Sequence, residues 1–194
     1  YVLAELAEEI GLPEGAVNLI CGYGHEAGAA LASHSGIDQI VFTGSVVTGR
    51  KIAHAAAESL IPAVLELGGK SPGIVYADAD MDNVVAQTQA GIFMNSGQCC
   101  DAMSRLVVHD SVYDETVDRL VTMTGGLTIG AGMDDPDITP LISADQLARV
   151  DNYAQIGVQQ GARAVEGGRK LDREVYFMAP TILADVSPGD RVNK

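Results

Sequence analysis

The chain has no tryptophan and only three phenylalanines among its 194 residues, and it is poor in positive charge. Twelve Lys and Arg stand against 26 Asp and Glu, a formal net charge of −14. No basic stripe is available to neutralise a phosphate backbone, which excludes a nucleic-acid-binding role. The same deficit excludes attraction to an anionic membrane surface. Apolar runs such as Leu106-Val107-Val108 are far too short to cross a bilayer. Tyr1 to Ile10 carries Glu5, Glu8 and Glu9 and no basic start, so it does not read as a signal peptide. Three cysteines (Cys21, Cys99, Cys100) are an odd number without a CxxC pair, a poor disulfide framework that fits a reducing, cytoplasmic setting. The four histidines (His25, His34, His54, His109) lack metal-site spacing, and no metal is expected.

What is present is an α/β pattern, 47% hydrophobic with 22 glycines, long enough for one domain or two modest lobes. Val2, Leu3, Leu6 and Ile10 recur at helical spacing before Gly11 and Pro13. A short buried strand is expected over 17–20, a helix over 26–33 and a strand over 39–42. Thr43-Gly44-Ser45 then turns into a helix over 46–58, and a strand follows over 62–67. Alternation at this pitch predicts βαβ units and a parallel sheet. The pattern restarts after Gly68-Gly69, which marks the boundary between two lobes, 1–67 and 68–194. The second lobe is expected to hold a strand over 73–76 and a helix over 81–95 capped by Asp80. A strand over 105–109 and helices over 113–123 and 143–160 follow, the last opened by the capping box Ser143…Gln146. Residues 130–140 read as a Gly/Asp/Pro-rich loop, 175–183 as strand-like, and 184–194 as a tail without a stop signal.

Several motifs bear on chemistry. Gly22-x-Gly24 with Gly28 departs from the dinucleotide fingerprint and reads equally as a tight turn or a phosphate contact. In Phe42-Thr43-Gly44-Ser45, Gly44 lets the backbone approach a ligand, and Ser45 can cap a helix whose free N–H groups suit a pyrophosphate. Arg50-Lys51 after Gly49 fails the P-loop pattern, so a phosphate site and a plain capped helix both stand. Glu66 interrupts the apolar strand Val64-Leu65-Glu66-Leu67, where it is either a solvent-facing strand end or a base whose pKa burial would raise. Cys99 and Cys100 lie in the polar stretch Asn95-Ser96-Gly97-Gln98, a poor core segment, which points to a functional thiol without choosing between them. A thiol and a carboxylate base suffice for covalent catalysis through a thioester.

Four stretches, in this order, make the chain resemble the aldehyde dehydrogenase superfamily. They are Phe42-Thr43-Gly44-Ser45 with Gly49, Leu65-Glu66-Leu67-Gly68-Gly69-Lys70-Ser71-Pro72, Asn95-x-Gly97-Gln98-x-Cys100, and Pro140-Leu141-Ile142-Ser143. The likeness runs from about Ala4 to Lys194. The resemblance implies a Rossmann-like parallel-sheet lobe followed by a second α/β catalytic lobe. Residues 1–67 would be the C-terminal part of an NAD(P)-binding domain and 68–194 the N-terminal part of a catalytic domain. In the family pattern the nucleophile is the last residue of GQxC, which selects Cys100 and leaves Cys99 at the variable position. The implied reaction is oxidation of a small-molecule aldehyde by NAD or NADP. Cys100 forms a thiohemiacetal and then a thioester, and Glu66 activates the water that hydrolyses it. The oxyanion would be held by the Cys100 backbone N–H and an asparagine. Gly44 and Ser45 would face the pyrophosphate, and Leu67 would approach the nicotinamide through its main chain.

The resemblance also implies family parts outside these residues. The oxyanion asparagine and the ribose-binding lysine would precede Tyr1. A glutamate of a Glu-Glu-x-Phe-Gly-Pro motif would follow Lys194, and strands exchanged between subunits of a homodimer or homotetramer would lie elsewhere. An internal piece of a longer enzyme, inactive alone, is therefore expected. Two other chemistries compete with the hydrolytic reading. A CoA-acylating relative would not need Glu66 as a base, and a cofactor-independent cysteine esterase or thioesterase would need a histidine beside the thiol.

Overall fold

The helix expected at the start of the chain forms as α1 (Val2–Glu9) in the computed structural model, which describes residues 2–193. Tyr1 and Lys194, the outer ends of the two expected lobes, lie outside the described residues. Gly11 ends the helix with φ of +75°, a conformation glycine adopts without a Cβ clash, while its N–H donates to the Glu8 carbonyl at 2.9 Å. The described residues divide into two compact units that part between Leu67 and Gly68.

In the first unit the strand expected over 17–20 does not form. A strand exists by ladder hydrogen bonds to a neighbour, and the backbone of these four residues makes none among the described residues. Val17, Leu19 and Ile20 are correspondingly exposed, not buried. The helix expected over 26–33 starts earlier, as a π turn over Gly24–Gly28 that runs into the short α2 (Ala29–Ala32). β1 (Ile40–Gly44), α3 (Val46–Glu58) and β2 (Ala63–Leu67) then make the expected βαβ unit. The two strands are parallel, with Phe42 opposite Leu65, Thr43 opposite Glu66 and Gly44 opposite Leu67. Thr43 and Gly44, expected in the turn, belong to β1, so the strand-to-helix change is made at Ser45 alone.

The second unit repeats the crossover. β3 (Pro72–Val75) is followed by α4 (Met81–Thr88), whose cap Asp80 accepts from the N–H groups of Asp82 and Asn83 at 3.0 and 3.3 Å. The helix expected to continue to Asn95 does not hold. It widens into a π turn over Gln89–Phe93 and ends there, because Met94 is extended (φ −54°, ψ 130°) and the next residues are left-handed. The Gly91 carbonyl is taken by the Met103 N–H at 2.8 Å, and a Cβ on Gly91 would meet Met103 Cβ at 3.1 Å. This close approach of a distant residue draws the carbonyl out of the helix ladder, the usual origin of such a bulge.

β4 (Arg105–Val108) pairs parallel with β3, with Gly73 opposite Leu106. α5 (Tyr113–Gly125) and α6 (Ala144–Gln159) follow, the latter capped by Ser143 Oγ, which accepts from the Gln146 N–H at 3.1 Å. β5 (Arg163–Glu166), for which the sequence pattern gives no strand expectation, pairs antiparallel with β6 (Ile182–Ala184). Of the stretch read as strand-like over 175–183, only Ile182 and Leu183 join that ladder, and Met178 makes an isolated bridge with Lys170. Its apolar character has another cause: Phe177, Met178 and Ala179 are buried, and Met178 packs with Leu141 and Ala154 in the core over α6. The expected tail contains a 3₁₀ turn, Arg191–Asn193. Among the described residues the molecule is thus mixed α/β, with two parallel strand pairs and one antiparallel pair. No described helix is long and apolar enough to cross a membrane.

Candidate functional site

The chain leaving the π turn reverses through three successive left-handed residues, Asn95 (φ +50°), Ser96 (φ +56°) and Gly97 (φ +75°). Each non-glycine residue in this region costs about 1–2 kcal/mol. Asn95 recovers part of that locally, since its Nδ2 donates to the Gln98 carbonyl at 3.3 Å. At Gly97 a side chain is excluded twice, by φ and by the Ile92 carbonyl, which a Cβ would meet at 3.2 Å. Strain concentrated in one short turn persists only when surrounding contacts over-determine it.

Those contacts come from far along the sequence. Ser96 Oγ accepts from the Thr139 N–H at 2.9 Å and donates to the Thr139 carbonyl at 2.8 Å, with Thr139 Oγ1 3.2 Å away. Gln98 Nε2 donates to the Asn95 carbonyl at 3.2 Å, and its Oε1 accepts from the Ile142 N–H at 2.9 Å. The Cys100 carbonyl accepts from the Gly69 N–H at 3.2 Å. The sequence contained both halves of this arrangement, Asn95–Cys100 and Pro140–Ser143, as separate motifs. No sequence pattern pairs Ser96 with Thr139, and the polarity of Ser96 beside Gly97 is the one signal of a role.

All three cysteines are free thiols. Cys100 is exposed, whereas Cys99 is half-covered, with its Sγ 4.0 Å from the Met94 carbonyl. The Cys100 N–H donates to no acceptor among the described residues, which leaves it available to a developing oxyanion beside the thiol. His109, the sole histidine of the second unit, is engaged by Ser111, Nδ1 to Oγ at 2.9 Å. The described residues contain no group of three or more His, Cys, Asp or Glu able to hold a metal. A groove of about 480 Å³ between α4 and α5 is lined by none of the expected site residues, and its Arg119 is occupied by Asp82 and Glu115, at 2.7 and 2.9 Å.

The first unit brings together Gly44, Ser45, Glu66 and Leu67. The β1–β2 register sets Gly44 beside Leu67 and Glu66 beside Thr43, at the strand ends where α3 begins. Ser45 Oγ accepts from the Thr48 N–H at 3.2 Å, and the Ser45 carbonyl accepts from the Gly49 N–H at 2.8 Å. The N–H groups of Val46 and Val47 at the head of this 13-residue helix have no intrahelical partner, which suits an anion. Gly44 has a packing reason as well: a Cβ there would fall 2.6 Å from Phe42 Cζ.

Glu66 is exposed and makes no ion pair among the described residues, so the burial considered for it is not met here. The Gly22–Gly28 segment loses the context a phosphate turn needs. Among the described residues no strand precedes it, and it leads into a π turn and a four-residue helix.

The model of the aldehyde dehydrogenase family matches residues 1–194. Retinal dehydrogenase 2 of Mus musculus is 44% identical over 194 residues, 99% of this chain and 38% of its own length. Aminoaldehyde dehydrogenase 1 (peroxisomal) of Pisum sativum is 43% identical over 193 residues, again 38% of its length. An NAD+ complex of aldehyde dehydrogenase from Bacillus cereus superimposes with a TM-score of 0.96 at 42% identity, covering all of this chain and 40% of that one. The chain therefore spans about two-fifths of the length of the proteins it matches.

Proposed function

The chain belongs to the aldehyde dehydrogenase family, and from that premise we propose that the protein oxidises a small aldehyde to its carboxylic acid with NAD or NADP. Residues 1–67 are read as part of the cofactor-binding domain and 68–194 as part of the catalytic domain. The observation that carries the reading is the exposed Cys100 with an uncommitted backbone N–H, three residues after a left-handed turn tied to Thr139.

The Cys100 thiolate attacks the aldehyde carbon, and the new oxyanion takes a hydrogen bond from the Cys100 N–H. NAD(P)+, held by the residues named below, would supply a hydride acceptor, so that the carbon on Cys100 can pass from the aldehyde to the acid oxidation level as a thioester. Glu66 then removes a proton from water as it adds to the thioester carbonyl, and the thiolate leaves with the bonding pair. The balance is aldehyde, NAD(P)+ and water to acid, NAD(P)H and a proton.

For the cofactor, the free N–H groups heading α3 fit a pyrophosphate, with Ser45 fixing the turn that presents them and Leu67 at the adjoining strand end. Gly44, Ser45 and Leu67 are the residues assigned to hold it. An esterase mechanism is disfavoured by His109, which is engaged by Ser111. The same reading expects the 194 residues alone to turn over near background, and a homodimer or homotetramer for the full-length protein.

The test is a pair of variants in the full-length protein, assayed by NAD(P)H formation from simple aldehydes. Cys100→Ser abolishes turnover and Cys99→Ser retains it. Equal loss in both would sink the assignment of the nucleophile. Robust NAD(P)H formation by the isolated 194 residues would overturn the expectation of inactivity.

A further inference from the structure

We propose that Ser96 and Gln98 are positioning residues: with the backbone of Thr139 and Ile142 they form a clasp that fixes where the Cys100 N–H and thiol stand. The inference rests on the function proposed above and adds residues to it. Ser96 uses its hydroxyl in both directions on the Thr139 peptide groups, at 2.9 and 2.8 Å. Gln98 uses its amide likewise, donating to Asn95 at 3.2 Å and accepting from Ile142 at 2.9 Å. A side chain that both donates and accepts across two segments fixes their orientation as well as their separation.

The far half of the clasp is itself immobilised. Leu141 is buried against Ala154 and Met178, and its N–H donates to the Tyr176 carbonyl at 3.0 Å. Ser143, next after Ile142, caps α6. Thr139 and Ile142 thus offer a fixed rail, and Ser96 and Gln98 are locked to it immediately before Cys100. On the other side the Cys100 carbonyl is held by Gly69. At the start of this anchored stretch Asn95 and Ser96 keep left-handed dihedrals that a free chain would abandon. Releasing the clasp lets those two residues relax, and the first groups to move are the N–H and thiol of Cys100.

Steady-state kinetics on the full-length protein, joined to amide hydrogen exchange, test this. Ser96→Ala and Gln98→Leu should lower kcat about tenfold or more, because a misplacement of even 1 Å at a reacting group is costly. KM for NAD(P)+ should stay within about twofold, since the cofactor contacts assigned above are untouched. Exchange at Thr139 in the first variant and at Ile142 in the second should quicken about tenfold, the scale of one lost hydrogen bond. The amides of Asp82 and Asn83, capped by Asp80, should not change.

Gln98→Glu retains an oxygen for the Ile142 N–H and should recover part of the kcat lost in Gln98→Leu. That pair carries the test if Ser96→Ala fails to fold. Faster exchange at Thr139 and Ile142 with kcat unchanged would overturn the clasp, leaving the role of Cys100 intact. Turnover surviving in Cys100→Ser would instead remove the function itself, and the clasp with it.

Discussion

A Cβ placed on Gly49 would lie 2.6 Å from Cδ2 of Leu67. Gly49 is buried inside α3, where glycine costs about 1 kcal/mol relative to alanine. It is retained because the end of β2 lies against it. Gly49→Val should therefore lower stability by about 1–3 kcal/mol through overpacking, with Gly49→Ala closer to neutral because its propensity gain offsets part of the clash. Denaturant unfolding of the chain measures both. An unchanged midpoint in the valine variant would mean that the Leu67 side chain simply turns away.

Ser45 lends itself to a separation of stability from affinity. Removing its cap in Ser45→Ala should cost about 1 kcal/mol. Ser45→Asp keeps a capping oxygen but sets a negative charge where the pyrophosphate is assigned. The aspartate variant is therefore expected to unfold near the native midpoint yet to bind NAD(P)+ about tenfold or more weakly in the full-length protein, the scale of one like-charge contact. Titration calorimetry of cofactor with both variants decides it, and undiminished affinity in Ser45→Asp would remove Ser45 from the cofactor site.

The elements legible in the sequence are those fixed by neighbours in the chain. Ser45, Asp80 and Ser143 announce their helices because a cap is a contact across two or three residues. The failures have partners far away. The 17–20 segment has strand composition, but no ladder accompanies it among the described residues. The break after Thr88 follows from the Gly91–Met103 contact, which no local pattern announces. At the site, the polar stretch before the cysteines was legible from composition, but not the left-handed turn within it. The hold on that turn by Thr139 and Ile142 was not legible either, since hydrogen bonds between segments more than forty residues apart leave no periodic trace.

Acid should loosen the second unit through two carboxylates. Hydrogen bonds from the Tyr113 hydroxyl and then from Arg163, at 2.8 and 3.0 Å, hold Asp185 below its ordinary value of 3.8. Asp137 is likewise lowered, chiefly by the hydroxyl and N–H of Thr128. A depressed folded pKa contributes stability that is present above the unfolded value and lost as pH falls through the folded one. The loss is thus expected below about pH 3.8. Asp185→Asn tolerates the left-handed φ of +61° at that position. Combined with Asp137→Asn, it should flatten the fall in unfolding midpoint on acidification. A slope equal to that of the native chain would place the acid-sensitive groups elsewhere.

Glu66→Gln separates the two halves of the proposed cycle. Thiohemiacetal formation and hydride transfer need no base at Glu66, whereas hydrolysis of the thioester does. Rapid mixing of the full-length variant with aldehyde and NAD(P)+ should give a burst near one NAD(P)H per active site. Steady turnover after the burst should be slower by about 10²–10⁴-fold, the usual contribution of a positioned general base. Mass spectrometry should find Cys100 acylated during that phase. Coenzyme A, a thiol nucleophile needing less help than water, should restore turnover if it can reach the thioester. A Glu66→Gln variant that hydrolyses at the native rate would assign the base to another residue, and one with no burst would place Glu66 in the first half of the cycle.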